Sequence, residues 1–292
     1  MIAALQTGLT MGSIYALLAL AINIIYSITD IINFAHGDVV MLGAMIGFSL
    51  IMRNNVPYLY GAIFVASIVG MLVLLMYFIC IKPLGKRLHT SFGWIMTTVG
   101  AGIIIQNFAM IKWGSAPQAF VPLGGNELFE FAGIKILPHE IWVVVITLLI
   151  AILFSLMMNK SVLGQAIRAI QFSQELTKLM GISAEKIVLF CFFITGVVGG
   201  IAGMLVAPIT FVYPTLAISL GLKAFGAAVI GGLGNYNGAF IGGILLGVIE
   251  AFSLGVIGIS AGYRDIIAFS LMIIVIVLKP EGLLGVKRIE KV

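Results

Sequence analysis

The sequence predicts an all-α polytopic membrane protein of eight or nine transmembrane or re-entrant helices, on three observations. Of its 292 residues 61% are hydrophobic and only 9% are charged, and the mean hydropathy is +1.20, well outside the composition of globular domains. The apolar residues run in stretches near or above the length that crosses a bilayer, separated by short polar segments. The basic residues collect in a few of those segments rather than spreading along the chain. Residues 1–292 therefore form a single transmembrane domain, with almost nothing over for a soluble one.

The first stretch, 7–28, has no basic segment before it and no charge precedes Asp30, so it reads as a retained span and not a cleaved signal. Further stretches follow at 31–52, 58–81, 92–111, 140–158, 188–210, 216–233, 238–258 and 263–279. The polar start of 31–52 and the glycine-rich 216–233 make these two candidates for broken or re-entrant helices.

Charge orients the chain. Eleven of the sixteen Lys and Arg residues lie in three places: Lys82, Lys86 and Arg87; Lys160, Arg168, Lys178 and Lys186; and Lys279, Lys287, Arg288 and Lys291. The positive-inside rule makes these segments cytoplasmic. Segment 112–139, with Lys112 and Lys135 against Glu127, Glu130 and Glu140, is expected as an external loop. Nine crossings then put the N-terminus outside and the C-terminus in the cytoplasm. On this reading the net charge of +5 reports topology and the lipid bilayer, not nucleic acid. Cys80 and Cys191 have no metal-site or disulfide spacing and read as small buried apolar residues.

Glycine pairs four apart occur at Gly8 and Gly12, Gly43 and Gly47, Gly196 and Gly200, Gly199 and Gly203, Gly238 and Gly242, and Gly243 and Gly247. Each pair alone is weak, but together they predict close helix crossings where no hydrophobic effect drives association. The run Gly231-Gly232-Leu233-Gly234-Asn235 has a phosphate-loop look but lacks the following Lys-Ser/Thr. No Walker motif occurs in the chain, so any ATP hydrolysis belongs to another subunit, and no cofactor, metal or catalytic residue is assigned.

Residues 159–187 form an unusually long polar segment for a membrane protein. Ile167, Ile170, Leu176, Leu179 and Met180 recur at roughly helical spacing between Gly164 and Gly181, predicting one or two short amphipathic helices closed by a glycine stop. Such helices present a knob to a soluble partner. A second unusual segment, Thr29 to Asp38, gathers Asp30, Asn33, His36 and Asp38 at a span start. Three readings compete there: capping of the helix start, lining of a permeation path, and a metal or catalytic role, for which no further ligand stands at the right spacing.

These residues carry a resemblance. Ile32-Asn33-Phe34-Ala35-His36-Gly37-Asp38 after a first span, Gly164-x-x-x-Arg168-Ala169 through Leu179-Met180-Gly181-Ile182, Gly221-Leu222-Lys223-Ala224-Phe225 leading to Gly231-Gly232-Leu233-Gly234, and Leu278-Lys279-Pro280-Glu281-Gly282-Leu283-Leu284-Gly285 resemble the permease subunits of branched-chain amino acid ABC importers, over nearly the full length. The form is that of the shorter, LivH-type subunit. The resemblance implies a half-channel in a bacterial or archaeal plasma membrane, paired with a second permease subunit, two cytoplasmic ABC ATPase subunits and an extracytoplasmic substrate-binding protein. It makes 159–187 the element that couples to the ATPase, through Gly164, Arg168, Ala169, Glu175, Leu179 and Gly181. Ser173 and Thr177 depart from the family's usual loop, where Asp or Asn, and Ala, are common.

For the translocation path the candidates are Asn33, His36, Asp38, Thr97, Thr98, Gln106 and Asn107, although Thr97 and Thr98 equally suit bonding within their own helix. Lys223 and Glu250 are charges within apolar spans and form a candidate intramembrane pair, with outward snorkelling as the alternative for Lys223. The alternative functions are an importer for urea, short amides or another amino acid, and a secondary transporter or channel, which leaves the long loop without a role. An intramembrane enzyme lacks its constellation, since Ser27 and His36 have no third partner in the sequence.

Overall fold

Each of the nine apolar stretches contains a helix in the computed structural model, which describes residues 1–84, 93–125, 127–131, 134–172, 177 and 179–285. Helix α1 (Ile2–Thr29) has 28 residues and stops at Asp30, whose left-handed backbone (φ 55°) turns its N–H onto the Tyr26 carbonyl. Helix α2 (His36–Phe48) continues through a π-helical turn, Ser49–Arg53, and α3 (Tyr58–Met76) through another, Tyr77–Ile81. Helix α4 (Gly93–Trp113) leads into the loop that carries a short antiparallel hairpin, β1 (Phe129–Phe131) with β2 (Ile134–Ile136). Then follow α5 (Pro138–Lys160), α6 (Val162–Phe172), α7 (Ala184–Thr210), α8 (Leu216–Gly231), α9 (Tyr236–Gly255) and α10 (Arg264–Leu278).

Seven of the described helical stretches are long and apolar enough to cross a membrane. Helices α8 and α10, with 16 and 15 residues, reach only about 22–24 Å, less than a hydrocarbon core of about 30 Å. Both ends of α8, Leu216 and Gly231, are buried, while Ile218 and Leu222 between them stay exposed on one side. The break anticipated before α2 is present: helix begins only at His36, and the non-helical segment before it buries Ile31, Asn33 and Ala35.

Helix α1 is the axle of the bundle. It has no polar face, and nearly every residue from Thr10 to Ile25 is buried, as expected for a helix that is apolar all round and enclosed by others. Helix α9 runs antiparallel along it, from a hydrogen bond between Ser27 and Tyr236 at one end to Gly255 against Ala4 at the other. Their backbones nearly touch: a Cβ on Gly12 would sit 2.9 Å from the Ile244 Cα, and one on Gly247 would overlap the Gly12 backbone. Helix α7 makes the same kind of crossing with α2, where a Cβ on Gly43 would meet the Gly200 Cα at 2.7 Å, and with α3, where one on Gly196 would meet the Gly70 Cα at 2.8 Å. The glycine spacings thus mark real helix crossings. Helices α3, α4, α5 and α10 turn large apolar side chains such as Leu59, Ile104, Leu149 and Val277 outward.

Of the described basic residues, Lys82, Lys160, Arg168, Lys186 and Lys279 gather at one end. Lys82 at the end of α3 lies 2.7 Å from Glu185 at the start of α7, and α6 follows directly from Lys160. Gln171 of α6 reaches Tyr236 at the start of α9, and Asn235 beside it donates to the Leu284 carbonyl just past Lys279. Gln6 at the opposite end of α1 donates to the Lys135 carbonyl and contacts Glu140, so the N-terminus and the 112–139 loop share the other end.

Candidate functional site

Two regions hold most of the residues singled out above. The first is a cavity of about 290 Å³ between α2, α4 and α8. Asn33, His36, Asp38 and Gln106 line it, with Ile22, Val99, Ile103, Leu222 and Phe225 among its apolar walls. Asn33 sits here because its side-chain carbonyl accepts from the Ala35 N–H, which holds the chain in the turn that launches α2. That bond occupies only its oxygen. The Asn33 amide nitrogen and both ring nitrogens of His36 are buried with no hydrogen-bond partner among the described residues. The His36 ring lies beside Gly199 in the middle of α7, and Gly102 of α4 leaves the space that the Asp38 carboxylate fills. Gln106 reaches toward the Pro214 carbonyl at 3.5 Å.

Thr97, Thr98 and Asn107 do not join this cavity. Thr97 and Thr98 donate back to Gly93 and Trp94 carbonyls of α4 at 3.1 and 2.8 Å, and Asn107 donates to Ile103 at 2.7 Å. These bonds satisfy the side chains within the helix.

The second region is α6 and the turn after it. Ser161 accepts from the Gly164 N–H at 3.1 Å and caps the helix. Gly164 is pressed against the Met157 and Met158 carbonyls, where a Cβ would clash, so α6 folds back tightly under the end of α5. Ala166, Ile167 and Ile170 are buried, while Gln165, Arg168 and Gln171 point outward and Ala169 is half-buried. The Arg168 guanidinium donates to the Met158 carbonyl, one of the orphan acceptors at the C-terminus of α5. Gln171 donates to the Tyr236 hydroxyl at 2.9 Å, so α6 is tied to α9 as well as α5. Leu179 and Met180 are 84% and 75% exposed, and Gly181 turns with φ 79° and open space around it. Glu175 and Lys178 lie outside the described residues, as do Lys86, Arg87, Lys287, Arg288 and Lys291.

Lys223 and Glu250 meet elsewhere, within a cluster of four charges. Lys223 Nζ lies 3.0 Å from Glu250 Oε1 and 3.0 Å from Asp265 Oδ1, and Arg264 contacts the same Glu250 oxygen. The Tyr15 ring lies beneath the ammonium, 5.7 Å from its centroid. Arg264 and Asp265 stand at the start of α10, where nothing in the sequence marks them as partners of the Lys223 and Glu250 pair. His139 has a structural role that its sequence context does not signal: its Nδ1 accepts from the Leu123 N–H while Nε2 donates to the Leu205 carbonyl at 2.8 Å, pinning the 112–139 loop to α7. Among the described residues no group of three His, Cys, Asp or Glu side chains is placed to hold a metal.

Comparison with known proteins gives these sites a context. Residues 4–276 match the family described as the branched-chain amino acid transport system permease component. The high-affinity branched-chain amino acid transport system permease protein BraD of Pseudomonas aeruginosa is 35% identical over 99% of this chain and 97% of its own length. The corresponding permease protein LivH of Salmonella typhimurium is 33% identical over 98% and 96%. Among solved structures, PsaBC from Streptococcus pneumoniae in complex with Fab superposes with a TM-score of 0.55 at 14% identity, covering 96% of this chain and 97% of that one. That likeness is one of fold alone.

Proposed function

The chain belongs to the permease component family of branched-chain amino acid transport systems, a family of multi-pass membrane transport subunits, and from that premise we propose that it forms half of the translocation path of an ATP-binding-cassette importer for branched-chain amino acids. In this reading it pairs with a second permease in a bacterial or archaeal plasma membrane, receives its substrate from an extracytoplasmic binding protein and is driven by two cytoplasmic ATPases. The end holding α6 with Lys82, Lys160, Lys186 and Lys279 is cytoplasmic, and the N-terminus is external. The observation that carries the proposal is the match over residues 4–276, supported by relatives aligned across nearly their whole length.

The arrangement around α6 supports a coupling role. A contact that transmits force must be rigid, apolar at its tip and joined to the helices it moves. Ser161, Gly164 and Arg168 fix α6 to α5, and Gln171 links it to α9. Helix α9 is in turn locked to α1 by the glycine crossing. Leu179 and Met180, exposed outside the spans, are apolar surface suited to an ATPase groove. ATP-driven closure of the ATPases pushing on this knob would therefore tilt α5 and α9 together.

The test is reconstitution. The chain should co-purify with a second permease and an ATPase encoded beside it. In proteoliposomes supplied with the binding protein and ATP, labelled leucine, isoleucine and valine should accumulate. A complete assembly that hydrolyses ATP but imports none of the three would end the proposal.

A further inference from the structure

We infer that the cavity between α2, α4 and α8 is a substrate subsite inside this subunit, which holds one branched-chain amino acid zwitterion in transit. The inference rests on the reading above and adds the place and the groups that recognise the ligand. At about 290 Å³ the cavity lies at the small end of ligand pockets, a size for a single small molecule. Two of the residues that line it carry polar atoms buried without partners among the described residues: the Asn33 amide nitrogen and the two ring nitrogens of His36. Unpaired buried polar atoms are costly, and several on side chains that border one cavity point to a polar ligand that completes them once those side chains turn toward it.

The chemistry of the lining sorts the ligand's two ends. Asn33 offers an N–H₂ donor, and His36 offers an N–H in either neutral tautomer. Both sit at the N-terminus of α2, where the helix dipole favours an anion. These groups receive the carboxylate. Asp38, in the same first turn and the one acidic residue of the lining, receives the ammonium. The remaining walls, Ile22, Val99, Ile103, Leu222 and Phe225, are aliphatic or aromatic and match a branched aliphatic side chain. Val99, Ile103 and Leu222 are also partly open at the surface, so the site has a mouth between α4 and α8 through which a ligand passes. A few donors and one carboxylate give recognition without the tight binding that would hinder release.

Two nearly isosteric changes and one wall change test the site in the reconstituted importer. Asn33→Asp keeps the oxygen that bonds Ala35 but replaces the donor with a carboxylate, and Asp38→Asn removes the charge for the ammonium. Each should lower leucine uptake roughly tenfold or more, the worth of a hydrogen bond to a charged group, while the ATPase co-purifies in wild-type amount. Phe225→Ala should shift the ratio of leucine to valine uptake by roughly fourfold relative to wild type, the worth of one methylene against an apolar wall. Because the same binding protein serves every variant, a shifted ratio belongs to the permease. Wild-type uptake from both isosteric variants, or a Phe225→Ala protein in which leucine and valine fall equally, overturns the subsite. If Asn33→Asp does not assemble, Asp38→Asn and Phe225→Ala decide alone. A wild-type importer that carries no branched-chain amino acid refutes the parent reading instead, so the two failures are separable.

Discussion

Lys223 donates to Glu250 across 3.0 Å, and both side chains are almost completely buried, at 4% and 2% exposure. The pair joins the middle of α8 to α9, and Asp265 and Arg264 extend it to the start of α10. Removing one partner of a buried pair leaves an uncompensated charge, a loss of about 3–5 kcal/mol when water cannot reach it. Here Asp265 is 55% and Arg264 35% exposed, so water reaches the cluster's edge and the loss should fall toward the lower end.

The expected outcome is a non-additive double-mutant cycle. Lys223→Met leaves two carboxylates facing one guanidinium, and Glu250→Gln leaves two cations facing one carboxylate. The double variant leaves Arg264 and Asp265 balanced. Thermal melting of the purified subunit should therefore show each single variant less stable than the double. Additive losses would mean that the two residues act independently.

The crossing of α1 and α9 gives a sharper packing prediction. A Cβ on Gly243 would overlap the Ala16 backbone, so Gly243→Val should force the helices apart and abolish the monodisperse folded peak in detergent. Gly100, on α4, has nothing within 4 Å of the same position, so Gly100→Ala should leave that peak unchanged and the melting temperature equal or slightly higher. Equal behaviour of the two variants would remove close approach as the reason for glycine on α9.

These contrasts explain what could be read from residues alone. Span positions are a one-dimensional signal, because a bilayer demands about twenty apolar residues in sequence. The described part of the stretch 92–111 accordingly lies within the helix Gly93–Trp113, and 140–158 lies within Pro138–Lys160. The start of α2 was less legible. Ile31 and Ile32 look like the opening of a span, yet Asn33 bonds the Ala35 amide and delays the helix to His36. The charge cluster was only half legible: charges in mid-span are conspicuous, whereas the approach of Arg264 and Asp265 depends on how α10 docks, which no local pattern encodes. Thr98 and Asn107 have the same composition as path-lining residues, and only their bonds within α4 separate them from Asn33 and Gln106.

Orientation follows from charge and is checked by labelling. In a background without Cys80 and Cys191, a single cysteine at Leu128 should react with a membrane-impermeant maleimide on intact cells. Cysteines at Val162 and Leu179, exposed at 81% and 84%, should react only after permeabilisation. Labelling of Leu179→Cys on intact cells would place α6 outside, beyond the reach of any ATPase.

The coupling reading is the most exposed, and the structure separates three ways of breaking it. Gly181 adopts φ 79° with empty space around it, so Gly181→Val opposes the backbone without a clash, costing about 1–2 kcal/mol in the turn. Arg168→Glu replaces the donor to the Met158 carbonyl with an acceptor and loosens one of the three ties between α6 and the end of α5. Leu179→Asp together with Met180→Asp changes only exposed apolar surface, so it should leave the fold intact and act on docking alone. All three should insert and purify as wild type does. The double aspartate should pull down less ATPase. Arg168→Glu should retain much of that binding yet lower leucine uptake and substrate-stimulated ATP hydrolysis together, because force reaches α5 through a less rigid joint. If the double aspartate binds the ATPase and transports like wild type, the exposed apolar tip is not the docking surface, and α6 serves only to close the end of the bundle.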